Sequence, residues 1–164
     1  MTAQQYETWT RPLRQRPLLT KAALCINKVL TALVYIAYPL LLIGLLLQTD
    51  QRFLTVLLTP AISFVLVSFF RSRVNAPRPY EQLDIQPLIH KDTRGHSFPS
   101  RHVFSSAVIS CAFLSVSPVL GAIFLIITAL LAVIRVLGGV HFPRDVIAGF
   151  CIGLIFGWIG FVLL

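Results

Sequence analysis

Residues 103–137 read VFSSAVISCAFLSVSPVLGAIFLIITALLAVIRVL, with no charged side chain before Arg135. A hydrocarbon core about 30 Å thick is crossed by about 20 apolar helical residues. The run is therefore too long for one helix and too short for two helices joined by a long loop. Ser115, Val116, Ser117 and Pro118 supply the break, because proline disfavours helix in the residue before it. The stretch predicts two membrane helices, near 103–116 and 119–137, with a minimal turn between them. Three more apolar runs, 29–47, 53–70 and 146–164, have spanning length. Together they predict an all-α integral membrane bundle of about five transmembrane helices. Pro39 and Pro60 lie inside two of the spans, where neighbouring groups satisfy the carbonyls that proline frees.

Composition agrees with a membrane protein. The chain is 164 residues long, 56% hydrophobic and only 12% charged, with a mean hydropathy of +0.80. A soluble domain carries about 25% charged residues, and a chain of one-domain length has too much surface to hide so much apolar sequence. Residues 1–22 are polar, with Trp9, Arg11, Arg14, Arg16 and Lys21, and have no small-residue cleavage site after a short apolar stretch. They are expected to be an interfacial segment, a short amphipathic helix on the bilayer, ahead of a membrane domain over 23–164. Cys25, Cys111 and Cys151 are odd in number, widely spaced and set in apolar sequence, so they read as packing residues. Gly149, Gly153, Gly157 and Gly160 fall roughly on one face of the last helix, the pattern of close helix packing.

The polar segments are few. Residues 48–52 form a turn on one side. The loop 71–101 and the short loop 138–145 fall on the other side in a five-span topology. Segments far apart in sequence thus converge on one membrane face. The net charge of +8, fourteen Lys and Arg against six Asp and Glu, fits nucleic acid, an anionic membrane surface or an anionic substrate. The basic residues lie mostly between apolar runs and on no aromatic-lined sheet, which disfavours nucleic acid.

Three blocks stand on that face: RSRVNAPRP at 71–79, FPSRH at 98–102 and RVLGGVHFPRD at 135–145. They resemble the type-2 phosphatidic acid phosphatases, a family that shares a core with the vanadium-dependent haloperoxidases. That family's pattern is a basic residue, six residues and Arg-Pro; then Pro-Ser-Gly-His; then Ser-Arg, five residues, His, three residues and Asp. Arg71, Arg78 and Pro79 match the first block, Pro99, Ser100 and His102 the second, and Arg135, His141 and Asp145 the third. Arg71 stands where the family usually has Lys, Arg101 replaces its Gly, and Ile134 replaces its Ser.

The resemblance implies a membrane phosphatase with an acid phosphatase/vanadium haloperoxidase-like helical core and a phosphohistidine intermediate. The residue chemistry is consistent. Arg71, Arg78 and Arg135 offer forked, charge-assisted donors to phosphate oxygens, Ser100 adds a neutral donor, and Arg101 offers a further contact. A neutral His141 has a lone pair with which to attack phosphorus. Asp145, four residues on, meets it across a helical turn and holds the imidazole tautomer. His102 is expected to protonate the leaving oxygen and then activate water. No metal or cofactor is expected. Ser100 is also placed to cap the helix that follows, and Arg73 to anchor at the interface. His90 and His96 match no motif position and read as loop residues.

Other readings remain open. His96, His102, His141 and Asp145 could be a zinc site, although their spacing is not HExxH and nearby arginines repel a dication. A non-catalytic relative that binds or transports a phosphorylated lipid or anion is compatible with the changed Gly and Ser positions. A haloperoxidase is disfavoured by the membrane spans. The membrane setting argues for a lipid phosphate partner: phosphatidate, phosphatidylglycerol phosphate or a polyprenyl diphosphate such as undecaprenyl diphosphate. Counting Arg11, Arg14, Arg16 and Lys21 by the positive-inside rule puts the site on the cytoplasmic side.

Overall fold

The computed structural model describes residues 1–163; Leu164, where the last predicted span ends, lies outside them. Among the described residues every regular element is helical: α1 (Ala3–Arg14), α2 (Pro17–Leu47), α3 (Phe53–Val74), a single turn α4 (Pro79–Gln82), α5 (Arg101–Val116), α6 (Pro118–Leu137) and α7 (Pro143–Trp158), which runs on as a π-turn over Ile159–Leu163. Among the described residues, four helices are long and apolar enough to cross a membrane, and α5 is a shorter apolar one. The chain is an integral, multi-pass membrane protein.

Local chemistry sets the boundaries. Thr2 and Gln5 form a capping box at the start of α1, satisfying two otherwise orphaned amides. Pro17 opens α2 at the position where a missing N–H costs nothing. The predicted break falls at Ser117, whose extended backbone ends α5 and begins α6; its hydroxyl accepts from Leu120 N at 3.5 Å, and Pro118 takes the first helical position. α3 stops where Asn75 turns left-handed at φ 42°, a conformation Asn tolerates better than most residues.

α5 is the hub of the bundle. It is buried continuously from Val103 to Phe113 and packs against α2, α3, α6 and α7. Phe113 stacks on Phe124 of α6 with centroids 4.2 Å apart, and Phe104 meets Phe156 of α7 edge-on. Within this core, Thr128 bonds the hydroxyls of Ser106 and Ser110 at 2.6 and 3.1 Å, the polar cross-linking that membrane bundles use. The predicted glycine face docks α7 on α5 and α3. A Cβ added at Gly153 would lie 2.6 Å from Ala107 Cβ and 2.8 Å from Phe104 O, and one at Gly160 would collide with Thr59. Outward faces of α2, α3 and α6 expose large apolar side chains such as Leu40, Leu58 and Ile126, which suits lipid as solvent.

The two ends of the bundle differ. At one end Asp50 and Arg52 pair at 2.6 Å and Arg52 Nη1 donates to Ser115 O at 2.8 Å; the Arg52 bonds hold the Asp50 carboxyl down at about 2. The opposite end gathers the last turn of α3, α4, the 83–100 loop, the first turns of α5 and α7 and the last turn of α6. All three sequence blocks are there.

Candidate active site

The 83–100 loop is pinned before it presents any side chain. Arg78 caps α4, and the Glu81 carboxylate accepts from Arg78 N at 2.7 Å and Gly95 N at 2.9 Å. Asn75 Oδ1 accepts from His96 N at 3.2 Å. Gly95 (φ 64°) and His96 (φ 51°) make the left-handed bend, and a Cβ at Gly95 would collide with the Asn75 side chain. Arg71 donates to the carbonyls of His96, Ser97 and Pro99. Arg78 donates from Nε to Gly95 O at 3.0 Å and from Nη1 to Val140 O at 3.1 Å. Both guanidiniums are buried, so they hold this loop and the His141 turn in place while adding positive charge to the site.

Arg135, in the last turn of α6, is 4% exposed. Its Nη2 lies 3.4 Å from His102 Nδ1 and its Nε has no partner. Arginine can only donate, so His102 Nδ1 accepts and the proton of the neutral ring sits on Nε2.

His141 and Asp145 come together as the i, i+4 spacing predicts, with one addition. His141 Nδ1 is 3.7 Å from Asp145 Oδ2, beyond ordinary hydrogen-bond reach. Ser97 stands between them: its hydroxyl donates to Asp145 Oδ2 at 2.6 Å and lies 3.3 Å from His141 Nδ1. Phe142 N donates to the same carboxylate oxygen at 3.0 Å. All three side chains are buried. Burial pushes the His141 pKa down to about 4, the nearby Asp145 carboxylate opposing and the charges of Arg135 and Arg78 adding. The ring is therefore neutral at pH 7. Its Nδ1 is committed to acceptors, which leaves the Nε2 lone pair free.

A cavity of about 330 Å³ opens above this layer. Arg71, Arg78, Lys91, Arg101, His102 and His141 line it, and among the described residues no carboxylate does. Arg135 and Asp145 stand behind the two histidines. Ser100 is not in the lining: it is the N-cap residue of α5, its N–H donates to Asp145 O at 2.8 Å, and its buried hydroxyl makes neither the expected cap bond nor any other. Arg101 is exposed, with its guanidinium 5.7 Å over the Phe64 ring. Among the described residues, no group of His, Cys, Asp and Glu is arranged to hold a metal ion.

Residues 52–164 match the PAP2 superfamily. The chain belongs to that superfamily. Two solved structures share the PAP2 fold. Aquifex aeolicus LpxE aligns at 27% identity with a TM-score of 0.75, over 97% of this chain and 93% of that one. A transmembrane PAP2-type phosphatidylglycerolphosphate phosphatase from Bacillus subtilis aligns at 23% identity with a TM-score of 0.73, over 96% of this chain and 83% of that one. No curated protein matches the chain.

In this PAP2 protein three residues of the site end carry no motif signal. Ser97 precedes the second block by one position and is recognisable only once 97 and 145 are adjacent in space. Lys91 is half-buried beside the arginines; burial, then the charges of Arg78, Arg135, Arg101 and Arg71, push its amine down to about 8. Tyr6 of α1 is buried against the His141 loop, its hydroxyl accepting from Leu88 N at 3.3 Å. His96 joins the cavity lining through its loop position, while His90 stays exposed.

Proposed function

We propose that this protein is a membrane phosphatase that removes phosphate from a lipid phosphomonoester or diphosphate through a phosphohistidine at His141. PAP2 membership supports a membrane lipid phosphatase in general. The observation that carries the mechanism is a buried, neutral His141, tied at Nδ1 and opening onto a cavity lined by cations and His102. Phosphoryl transfer needs charge stabilisation and in-line positioning more than new covalent chemistry from the protein, and the cation-lined cavity beside His141 and His102 supports this reading.

In the first step His141 Nε2 forms a bond to phosphorus as the bond to the lipid oxygen breaks. The leaving oxygen takes a proton from His102. The free site holds His102 neutral, with Nδ1 facing Arg135, so the incoming phosphate has a second task. Its negative charge draws Arg135 from Nδ1 to a phosphate oxygen, and His102 then takes up the proton it will donate. In the second step neutral His102 accepts a proton from water, the resulting oxygen attacks phosphorus, and the bond to His141 breaks to release inorganic phosphate. Arg71, Arg78 and Arg135 neutralise the equatorial oxygens throughout. Arg101 is placed to add a contact at the mouth. Ser100 reaches phosphate only if its hydroxyl gains access from its buried position.

The native lipid is proposed among phosphatidate, phosphatidylglycerol phosphate and polyprenyl diphosphates. The test is phosphate release by detergent-purified protein from such a panel, with EDTA present, compared with His141→Ala. We expect release by the parent and a loss of at least 10³-fold in the variant, the scale seen when a nucleophile is removed. Substantial turnover by a folded His141→Ala would remove His141 from its role. A folded parent that releases nothing from any lipid would instead favour a protein that binds or transports a phosphorylated lipid.

A further inference from the structure

The usual reading of a His–Asp pair is a direct hydrogen bond from imidazole to carboxylate. Here the direct distance is 3.7 Å. The shorter route runs through Ser97, whose Oγ is 3.3 Å from His141 Nδ1 and 2.6 Å from Asp145 Oδ2. A carboxylate only accepts, so the Ser97 proton points at Asp145 and the Ser97 lone pairs face His141. That order of donors leaves one consistent tautomer for neutral His141: hydrogen on Nδ1 and a lone pair on Nε2. Ser97 is 0% exposed, and its backbone N–H is fixed to Ala76 O at 2.8 Å, which holds the residue against the His141–Asp145 pair. Phe142 N takes a second position on Oδ2 at 3.0 Å, which keeps the carboxylate turned towards Ser97.

We propose that Ser97 is a positioning residue for the nucleophile: its hydroxyl links His141 Nδ1 to Asp145 and so sets the tautomer that makes Nε2 nucleophilic. The inference rests on the phosphohistidine reading. In the transfer step the new bond forms at Nε2, the Nδ1 proton stays in place and the ring gains positive charge. Ser97 passes the influence of the Asp145 charge to that ring, and no proton need leave Nδ1.

The test combines tautomer and kinetics. In ¹⁵N-histidine-labelled protein at pH 7, with the His141 signals assigned by their loss in His141→Gln, the parent is expected to show a protonated Nδ1 and a bare Nε2. Ser97→Ala is expected to shift a substantial fraction to the Nε2–H form and to lower kcat about 10–100-fold with KM within about threefold, in keeping with the large cost of a wrong tautomer. Ser97→Cys, which keeps the volume with a weaker donor, should fall between the two and serves if the alanine variant folds poorly. Because both residues act along one chain, adding Ser97→Ala to Asp145→Asn should cost less than about twofold more. An Nε2–H tautomer in the parent, an unchanged tautomer in Ser97→Ala, or losses that multiply in the double variant would each overturn the proposal. If the parent releases no phosphate the phosphatase reading fails, and the tautomer measurement still decides the link.

Discussion

His141 is 1% exposed and faces a site that carries several cations, so a second proton on its ring is disfavoured and its pKa falls to about 4. The consequence is a pH profile unlike that of a free histidine. Protonation occupies Nε2 and removes the lone pair of the proposed nucleophile. An imidazole near 6.5 would be mostly inactivated at pH 5.5, whereas His141 stays mostly neutral there. We expect kcat/KM, corrected for ionisation of the substrate phosphate, to show no acid-side loss between pH 7 and about 5 and to fall as pH drops through about 4. An acid limb centred near 6.5 would contradict the assignment, because kcat/KM reports the free enzyme. The expected site candidates came from local spacing: His141 and Asp145 are one helical turn apart, and Arg71 and Arg78 flank a single bend. Spacing cannot expose a contact such as Ser97 to Asp145, which joins residues 48 positions apart. Nor could it show that Ser100 would be turned into the core instead of lining the cavity.

Helix packing sets the distance between the two halves of the candidate site, since α5 carries His102 and α7 carries Asp145. Their spacing depends on glycine. A Cβ at Gly153 would press on Phe104 O at 2.8 Å and Ala107 Cβ at 2.6 Å, and one at Gly149 on Ser100 O at 2.7 Å. Gly153→Val should therefore lose about 1–3 kcal/mol, the usual cost of overpacking, and lower the midpoint of thermal unfolding in detergent. Gly44→Ala is the control, because nothing lies within 4 Å of its added Cβ; an equal loss there would show that the effect is not contact at the α5–α7 seam. The glycine face and the Ser117–Pro118 break were both legible, because period and proline act locally. The docking of α1 was not. Its helix is written in a capping box, but its Tyr6 hydroxyl lies 2.7 Å from where a Gly139 Cβ would be, two residues before His141. Gly139 sits at φ 74°, a conformation that other side chains rarely adopt. Tyr6→Ala is expected to loosen that turn and lower kcat several-fold, while Trp9→Ala, on the exposed side of the same helix, leaves it within about twofold. Equal activity in both variants would mean that α1 does not support the catalytic turn.

Over the whole molecule, charge is sorted by end. Most of the net charge of +8 lies on the N-terminal segment and around the site, while the spans are nearly free of it. On the proposed mechanism, Arg71, Arg78 and Arg135 together match a single phosphate dianion. Lys91 and Arg101 face the same cavity, and neither makes an ion pair among the described residues. That surplus suits a substrate with a second anionic group beside the scissile phosphate, as in a lipid diphosphate. Lys91 makes the idea measurable, because burial and its arginine neighbours lower its pKa to about 8. The ammonium is lost as pH rises through that value, well below the usual 10.4. For a lipid diphosphate we therefore expect kcat/KM to decline above about pH 8. Lys91→Arg, whose guanidinium stays charged, should remove that limb. Lys91→Ala should lower kcat/KM about tenfold at pH 7 on the diphosphate and less than about threefold on a monophosphate with the same tail, a difference of roughly one charge-assisted contact. Equal losses on both substrates would show that Lys91 only adds to the general field of the site, and the preference for a second anionic group would then have to come from elsewhere in the cavity.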